Sequence, residues 1–191
     1  MTPRIQANDL KAFGRSFPAR ELTTELAWRD VESYETIEDQ LSELREDASN
    51  LRKKGYTGSY RVLFSGPPGT GKTLSGLLMG RESGRRVVYV DLPNLISQYI
   101  GETEKNLTKL LDRASAENWL LYFDEADALF SRRTQVKDAH GHYANQEVSY
   151  LLRRMEQFED LVIFATNSCP DRNQALGSYF HRIIRFSGCP N

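Results

Sequence analysis

The sequence predicts an α/β fold, a three-layer sandwich in which helices cover both faces of a five-stranded parallel sheet. Three observations predict it. Five short apolar runs follow Gly58, namely "YRVLFSG", "RRVVYVD", "NWLLYFDEAD", "DLVIFATN" and "HRIIRF", and the middle ones are nearly continuous, as strands buried on both faces require. Helix-compatible stretches of roughly ten to twenty residues separate most of them, the alternation that builds a parallel sheet. The first run passes directly into a glycine-rich loop, "GPPGTGKT", and then a helix-compatible "LSGLLMGRES". The 191 residues suit one domain of this kind, long enough to bury roughly 70% of the surface its unfolded form exposes.

Taken in order, residues 1–27 are polar and weakly patterned and are expected to form an arm or a short helical lead-in. From Ile37 the apolar residues Leu41, Leu44, Ala48 and Leu51 recur at steps of four, three, four and three, as one helical face requires. Thr36 with Asp39 fits a capping box at the start, and Lys53, Lys54 and Gly55 make a basic last turn and a stop. The spacing predicts a helix of about four turns with a solvated charged face.

Composition narrows the function classes. With 25 Lys plus Arg against 26 Asp plus Glu the formal charge is -1, so no general attraction to nucleic acid or to an anionic membrane is expected. The apolar runs are too short to span a bilayer, and "MTPRIQANDLKAFGRSF" lacks the apolar core of a secretory signal, which predicts a soluble, cytoplasmic protein. Cys169 and Cys189 have no CxxC spacing and are expected to be reduced thiols, outside any disulfide or zinc framework. His140, His142 and His181 lie in no recognisable nucleophile–base context.

The chemistry concentrates in three places. "GPPGTGKT", Gly66 to Thr73, has the GxxxxGK[ST] spacing of a phosphate loop in the strand-to-helix setting the chemistry needs. Gly66, Gly69 and Gly71 let the backbone, with Pro67, Pro68 and Thr70, wrap a phosphate chain. Loop N–H groups and the helix N-terminus, which runs on to Leu74, point at that chain. Lys72 brings positive charge to the outer phosphates, and the Thr73 hydroxyl suits a magnesium ligand. The fold class is therefore a P-loop NTPase sandwich, with a nucleotide's phosphate chain and Mg²⁺ as expected ligands. The third run ends in Asp124 and Glu125 at the carboxyl edge, where ligands lie in open α/β sheets. Asp124 would hold magnesium through its water shell, and Glu125 would polarise the water that attacks the γ-phosphate. The fourth run sets Asn167 at the same edge, beside Asp124 if the strands are neighbours; there it either holds the water or γ-phosphate or simply forms a turn.

These residues resemble the AAA+ ATPases, more narrowly the protein-remodelling branch, over about residues 28 to 186. "GPPGTGKT", "YFDEADAL" and "ATN" look like that family's Walker A, Walker B and sensor 1 motifs, and "QYIGETEKNLTKLLDRA" is similar to its pore-loop segment. "RRTQVKDAHGHYANQEVSYLLRRMEQFE" also looks like a bacterial subset of single-domain AAA proteins, some encoded beside contractile injection particles. The resemblance implies that residues 28–191 form the large nucleotide-binding subdomain and that the nucleotide is ATP. It further implies a ring, homo-oligomeric or mixed and usually hexameric, that threads a protein client through its centre. Tyr99, Ile100 and Gly101 would form the pore loop, the alternative being that Tyr99 and Ile100 pack beneath the following helix. Asp30 and Val31 would border the adenine. Arg132, Arg133 and Lys137 would either contact client or solvate a second loop.

The sequence departs from the family in three places. One or two arginines normally precede the Phe aligned with Phe180, and here the positions read "LGSY", with Tyr179 adjoining Phe180. An arginine finger contributes on the order of 10³ to 10⁵ in rate to nucleotide hydrolases, and a neutral tyrosine cannot replace its charge. Arg182 follows the Phe, where it would pair at the start of the last strand or serve as the finger. His142 stands where arginine is expected ahead of "AN". The chain stops after "SGCPN", so the helical lid and its sensor 2 residue are expected to be absent, in a natural minimal protein or by truncation. Two functions follow: an ATPase that remodels a protein client, and a hydrolysis-impaired ATP-binding scaffold or regulatory subunit. A nucleic-acid-handling role is disfavoured by the near-neutral charge and the aromatic pore motif.

Overall fold

Val62 and Phe64 face one layer of helices while Leu63, between them, faces the other, and all three are fully buried. That alternation sets the architecture of the computed structural model, which describes residues 5–10, 13, 17–32, 34–53, 58–98, 103–130, 139–169 and 179–189. Its strands are β1 (Ile5–Asp9), β2 (Ala19–Thr24), β3 (Tyr60–Ser65), β4 (Val87–Asp91), β5 (Leu120–Asp124), β6 (Leu161–Thr166) and β7 (Arg182–Arg185). Its helices are α1 (Tyr34–Lys53), α2 (Lys72–Glu82), α3 (Leu92–Gln98), α4 (Thr103–Glu117), α5 (Asp127–Phe130) and α6 (Ala139–Glu156). On one face α1 and α2 bury Ile37, Leu41, Leu44, Leu77 and Leu78 against Val62, Phe64, Ile163 and Ile184. On the other, α3, α4 and α6 bury Leu95, Leu107, Leu110, Leu151 and Met155 against Leu63, Leu121, Phe123 and Phe164.

The α/β sandwich stands, but among the described residues the sheet has seven strands, in the order β1-β2-β4-β5-β6-β3-β7, rather than the five expected. The five runs form β3 to β7, paired in parallel. The two further strands come from the polar lead-in: β2 pairs antiparallel with β4, and β1 antiparallel with β2. Every residue of β1 is exposed, so it carries none of the apolar alternation that reveals a strand, and its polar character suits a sheet edge. Arg86 donates to Glu21 at 2.8 and 2.7 Å and ties β2 to the start of β4.

Two local expectations change as well. Helix α1 begins at Tyr34, two residues before Thr36, and its 20 residues make more than the expected four turns; Lys54 and Gly55 lie outside the described residues. Cys169 and Cys189 form a disulfide, with Cα atoms 5.4 Å apart. The reason is topological: β6 and β7 both flank β3, so the segments leaving their carboxyl ends meet above it. Nothing in the spacing of the two cysteines signals that meeting.

At the opposite edge of the sheet Arg85 is buried. Its guanidinium donates to Asp160 Oδ1 at 3.2 Å and Oδ2 at 2.6 Å and to the Trp119 carbonyl at 2.6 Å. These bonds lock the starts of β5 and β6 to the turn that follows α2. No helix among the described residues is long and apolar enough to cross a membrane.

Candidate functional site

The loop between β3 and α2 is shaped by glycines that no other residue could replace without strain. Gly71 has φ 98° and a Cβ there would stand 2.7 Å from Val31 Cγ1; at Gly66, φ 155°, a Cβ would stand 2.8 Å from Phe186 Cβ. The loop curls round the Lys72 ammonium, which donates to the Gly66 carbonyl at 2.5 Å and the Pro67 carbonyl at 2.8 Å. The Thr70 hydroxyl donates to the same Pro67 carbonyl at 2.9 Å, closing the turn that contains Pro68 and Gly69. Burial lowers the Lys72 pKa below its ordinary value, and the negative charges of Asp124 and Asp127 oppose that shift. The ammonium is therefore anchored by carbonyls, with two acidic groups within electrostatic reach. Leu74, in the first turn of α2, is buried in the core and serves to seat the helix.

Neighbouring strands bring the other groups to the same edge. β5 lies beside β6, with Phe123 opposite Phe164, and β6 lies beside β3. The carboxyl ends therefore place Asp124 and Glu125, then Asn167, then the phosphate loop in a row. The Asp124 carboxylate is held at both oxygens: Oδ1 accepts from the Glu125 N–H at 2.8 Å and Oδ2 from the Tyr89 hydroxyl at 3.1 Å. Glu125 has φ 53°, a left-handed backbone that turns its exposed side chain away from the strand line. Thr73 Oγ1 lies 3.4 Å from the Tyr122 hydroxyl. One hydroxyl and one carboxylate are a donor set that fits Mg²⁺, a hard ion that completes its shell with water and substrate phosphate.

A sequence model of the "ATPase family associated with various cellular activities (AAA)" matches residues 62–188. The chain belongs to the AAA family. Over 152 residues it is 31% identical to the Cell division cycle protein 48 homolog of Archaeoglobus fulgidus, a match that covers 75% of this chain and 20% of that relative. The crystal structure of the FIGL-1 AAA domain superposes with a TM-score of 0.62 at 25% identity, covering 85% of this chain and 55% of that one. The FIGL-1 AAA domain in complex with ADP gives a TM-score of 0.62 at 23% identity, covering 95% and 57%. The chain thus spans a fifth of the archaeal protein and little more than half of the FIGL-1 domain.

Within this AAA domain the remaining residues singled out from the sequence fall in different places. Val31 is buried against Gly71, at the flank of the loop. Asp30 lies on the exposed side of the 3₁₀ turn Trp28–Asp30 and accepts the Ala27 N–H at 2.8 Å, so its carboxylate closes its own turn. Arg182 donates to Glu43 at 2.5 Å and Asp47 at 2.8 Å, both on α1. The Tyr179 hydroxyl donates to the Leu152 carbonyl at 3.1 Å, and Arg61 lies over its ring at 4.4 Å. His142 falls within α6. Tyr99, Ile100 and Gly101, together with Arg132, Arg133, Lys137 and the first three residues of "LGSY", lie outside the described residues.

Sequence reasoning missed Asp127. It accepts from Thr166 Oγ1 at 2.6 Å, Ser168 Oγ at 2.5 Å and the Asn167 N–H at 3.3 Å, and so fixes the turn that presents Asn167. The only signal for it was a third acid in "DEAD". Tyr89 and Tyr122 were missed because they read as strand residues.

Proposed function

We propose that this AAA protein binds ATP with magnesium, hydrolyses it to ADP and phosphate, and uses the cycle to remodel or unfold a protein client as one subunit of a ring. The observation that carries the reading is the convergence of the lysine-filled loop, the Asp124–Glu125 pair and Asn167 on one sheet edge. Lys72 balances charge on the outer phosphates once they displace the loop carbonyls from its ammonium. Asp124 and Thr73 would hold the magnesium, which would supply neutralising charge to the phosphates. Glu125 takes the attacking water as hydrogen-bond partner, and Asn167, steadied by Asp127, keeps that water or the γ-phosphate in line. Residues 28–191 serve as the nucleotide-binding subdomain in this reading, and Tyr99, Ile100 and Gly101 grip the client.

Steady-state ATP hydrolysis against protein concentration tests it. Specific activity should rise with concentration as subunits assemble and should drop by at least 10²-fold in Glu125→Gln, a variant that retains nucleotide. Equal rates in the parent and Glu125→Gln would remove Glu125 from the mechanism. A second reading is favoured by one observation: Arg182 is committed to α1 and Tyr179 to α6, so neither is poised for a neighbour's nucleotide. The chain would then bind ATP, hydrolyse it barely, and rely on other ring members for the arginine. Near-zero turnover at every concentration, with nucleotide bound and with rescue by Tyr179→Arg, would favour that reading.

A further inference from the structure

The two protein groups read as magnesium holders are each touched by a phenol, and the two phenols touch each other. Tyr89 in β4 and Tyr122 in β5 are register partners and stack with centroids 6.1 Å apart at an interplanar angle of 18°. The Tyr89 hydroxyl donates to Asp124 Oδ2 at 3.1 Å, and the Tyr122 hydroxyl lies 3.4 Å from Thr73 Oγ1. Tyr122 is fully buried, with its ring pressed on α2 so closely that a Cβ at Gly76 would stand 2.7 Å from it. The ring pair is therefore fixed on one side by the helix that begins with Lys72 and Thr73. On the other it is fixed by the strand that ends in Asp124.

We propose that Tyr89 is a positioning residue, which holds the Asp124 carboxylate in the orientation that takes up the water shell of a nucleotide-bound magnesium. The inference rests on the reading of this edge as a magnesium–nucleotide site. A carboxylate at the end of a strand can rotate about its terminal bond. The Glu125 N–H restrains one oxygen and the Tyr89 hydroxyl restrains the other, which leaves lone pairs on both oxygens for waters in a defined plane. A carboxylate only accepts, so in this pair the phenol O–H is the donor and the direction of the bond is fixed. Outer partners of this kind orient a metal-holding side chain without touching the metal.

The test is Tyr89→Phe, which keeps the ring stack and removes only the donor. The affinity of a fluorescent ADP analogue is measured in EDTA and in Mg²⁺, and the Mg²⁺ half-saturation of ATP hydrolysis is measured beside it. The expected result is an affinity in EDTA within about twofold of the parent. The Mg²⁺-dependent gain in affinity and the Mg²⁺ half-saturation should both worsen by about tenfold, the lower end of the effect for a lost outer-shell partner. An unchanged Mg²⁺ dependence in Tyr89→Phe would overturn the proposal, as would an equal loss of affinity in EDTA and in Mg²⁺, which would mean that the phenol merely supports the loop. A parent that binds nucleotide with no Mg²⁺ dependence would instead remove the reading of the site itself, and the role of Tyr89 with it.

Discussion

Reduction of the Cys169–Cys189 bridge should destabilise the folded chain by an amount that its position fixes. The bridge closes a loop across a sequence separation of 20, and in the chain-entropy account a loop of that length restricts the unfolded state by about 3 kcal/mol. On the folded side little is lost. The segments that the bridge joins are also held by the Ser65 hydroxyl, which donates to the Ser168 carbonyl at 2.9 Å, and by the Phe186 N–H, which donates to the Ser65 carbonyl at 2.8 Å. For a chain of this length about 3 kcal/mol corresponds to roughly 6–12 °C in midpoint. Thermal unfolding followed by circular dichroism, with and without a phosphine reductant and with thiols counted at each end, measures the shift. The Cys169→Ser/Cys189→Ser double variant should unfold where the reduced parent does and should ignore reductant. A fully reduced parent whose midpoint has moved by less than about 2 °C would refute the reasoning, because the entropy term scales with the closed loop and has no other place to go.

Two further predictions concern stability away from the carboxyl edge of the sheet. Asp160→Ala strands the buried Arg85 guanidinium and should cost about 3 kcal/mol in urea unfolding, whereas Arg85→Met fills the same space and leaves Asp160 free to hydrate, so it should cost less; the reverse order would show that the pair is held by packing. His181 accepts the Arg61 N–H at Nδ1 (3.0 Å), and burial, reinforced by the Arg61 charge, holds its pKa below the ordinary 6.5. The unfolded chain then binds the proton more readily, so stability should fall as pH drops through about 6.5 towards the folded value. His181→Asn keeps an acceptor without titrating and should show a flatter midpoint over that window, and identical pH slopes in the two proteins would rule His181 out as the cause.

What was legible in the sequence is what neighbouring residues determine. The α1 face was readable because Ile37, Leu41 and Leu44, which the helical period predicts as one stripe, are all fully buried. The positions of the Gly66–Thr73 loop and of the Asp124–Glu125 pair were readable because each directly continues an apolar run that forms a strand. The contacts that organise the edge were not. Tyr89 reaches Asp124 across 35 positions and Asp127 reaches Thr166 across 39, each through strand register rather than local spacing. The disulfide belongs to the same class, since it depends on β6 and β7 both lying beside β3. β1 was hidden for a different reason: it is held by backbone pairing to β2 and buries nothing, so no hydrophobic signal marks it.

The placement of β3 also has a consequence for synthesis. Both of its partners come late in the chain: Tyr60 pairs with Leu161, and Val62 with Arg182. On a ribosome β3 therefore emerges about a hundred residues before its first partner, an interval on the order of 5–20 s at ~5–20 residues per second. Throughout it a strand whose last four residues end up fully covered has both edges open. β4 pairs with β2 and with β5, so these three strands can meet once β5 has emerged, before β6 is made. The strand that leads into the Gly66–Thr73 loop is thus the one that waits longest for its neighbours, and a nascent-chain chaperone would find its longest-lived target at Tyr60–Ser65.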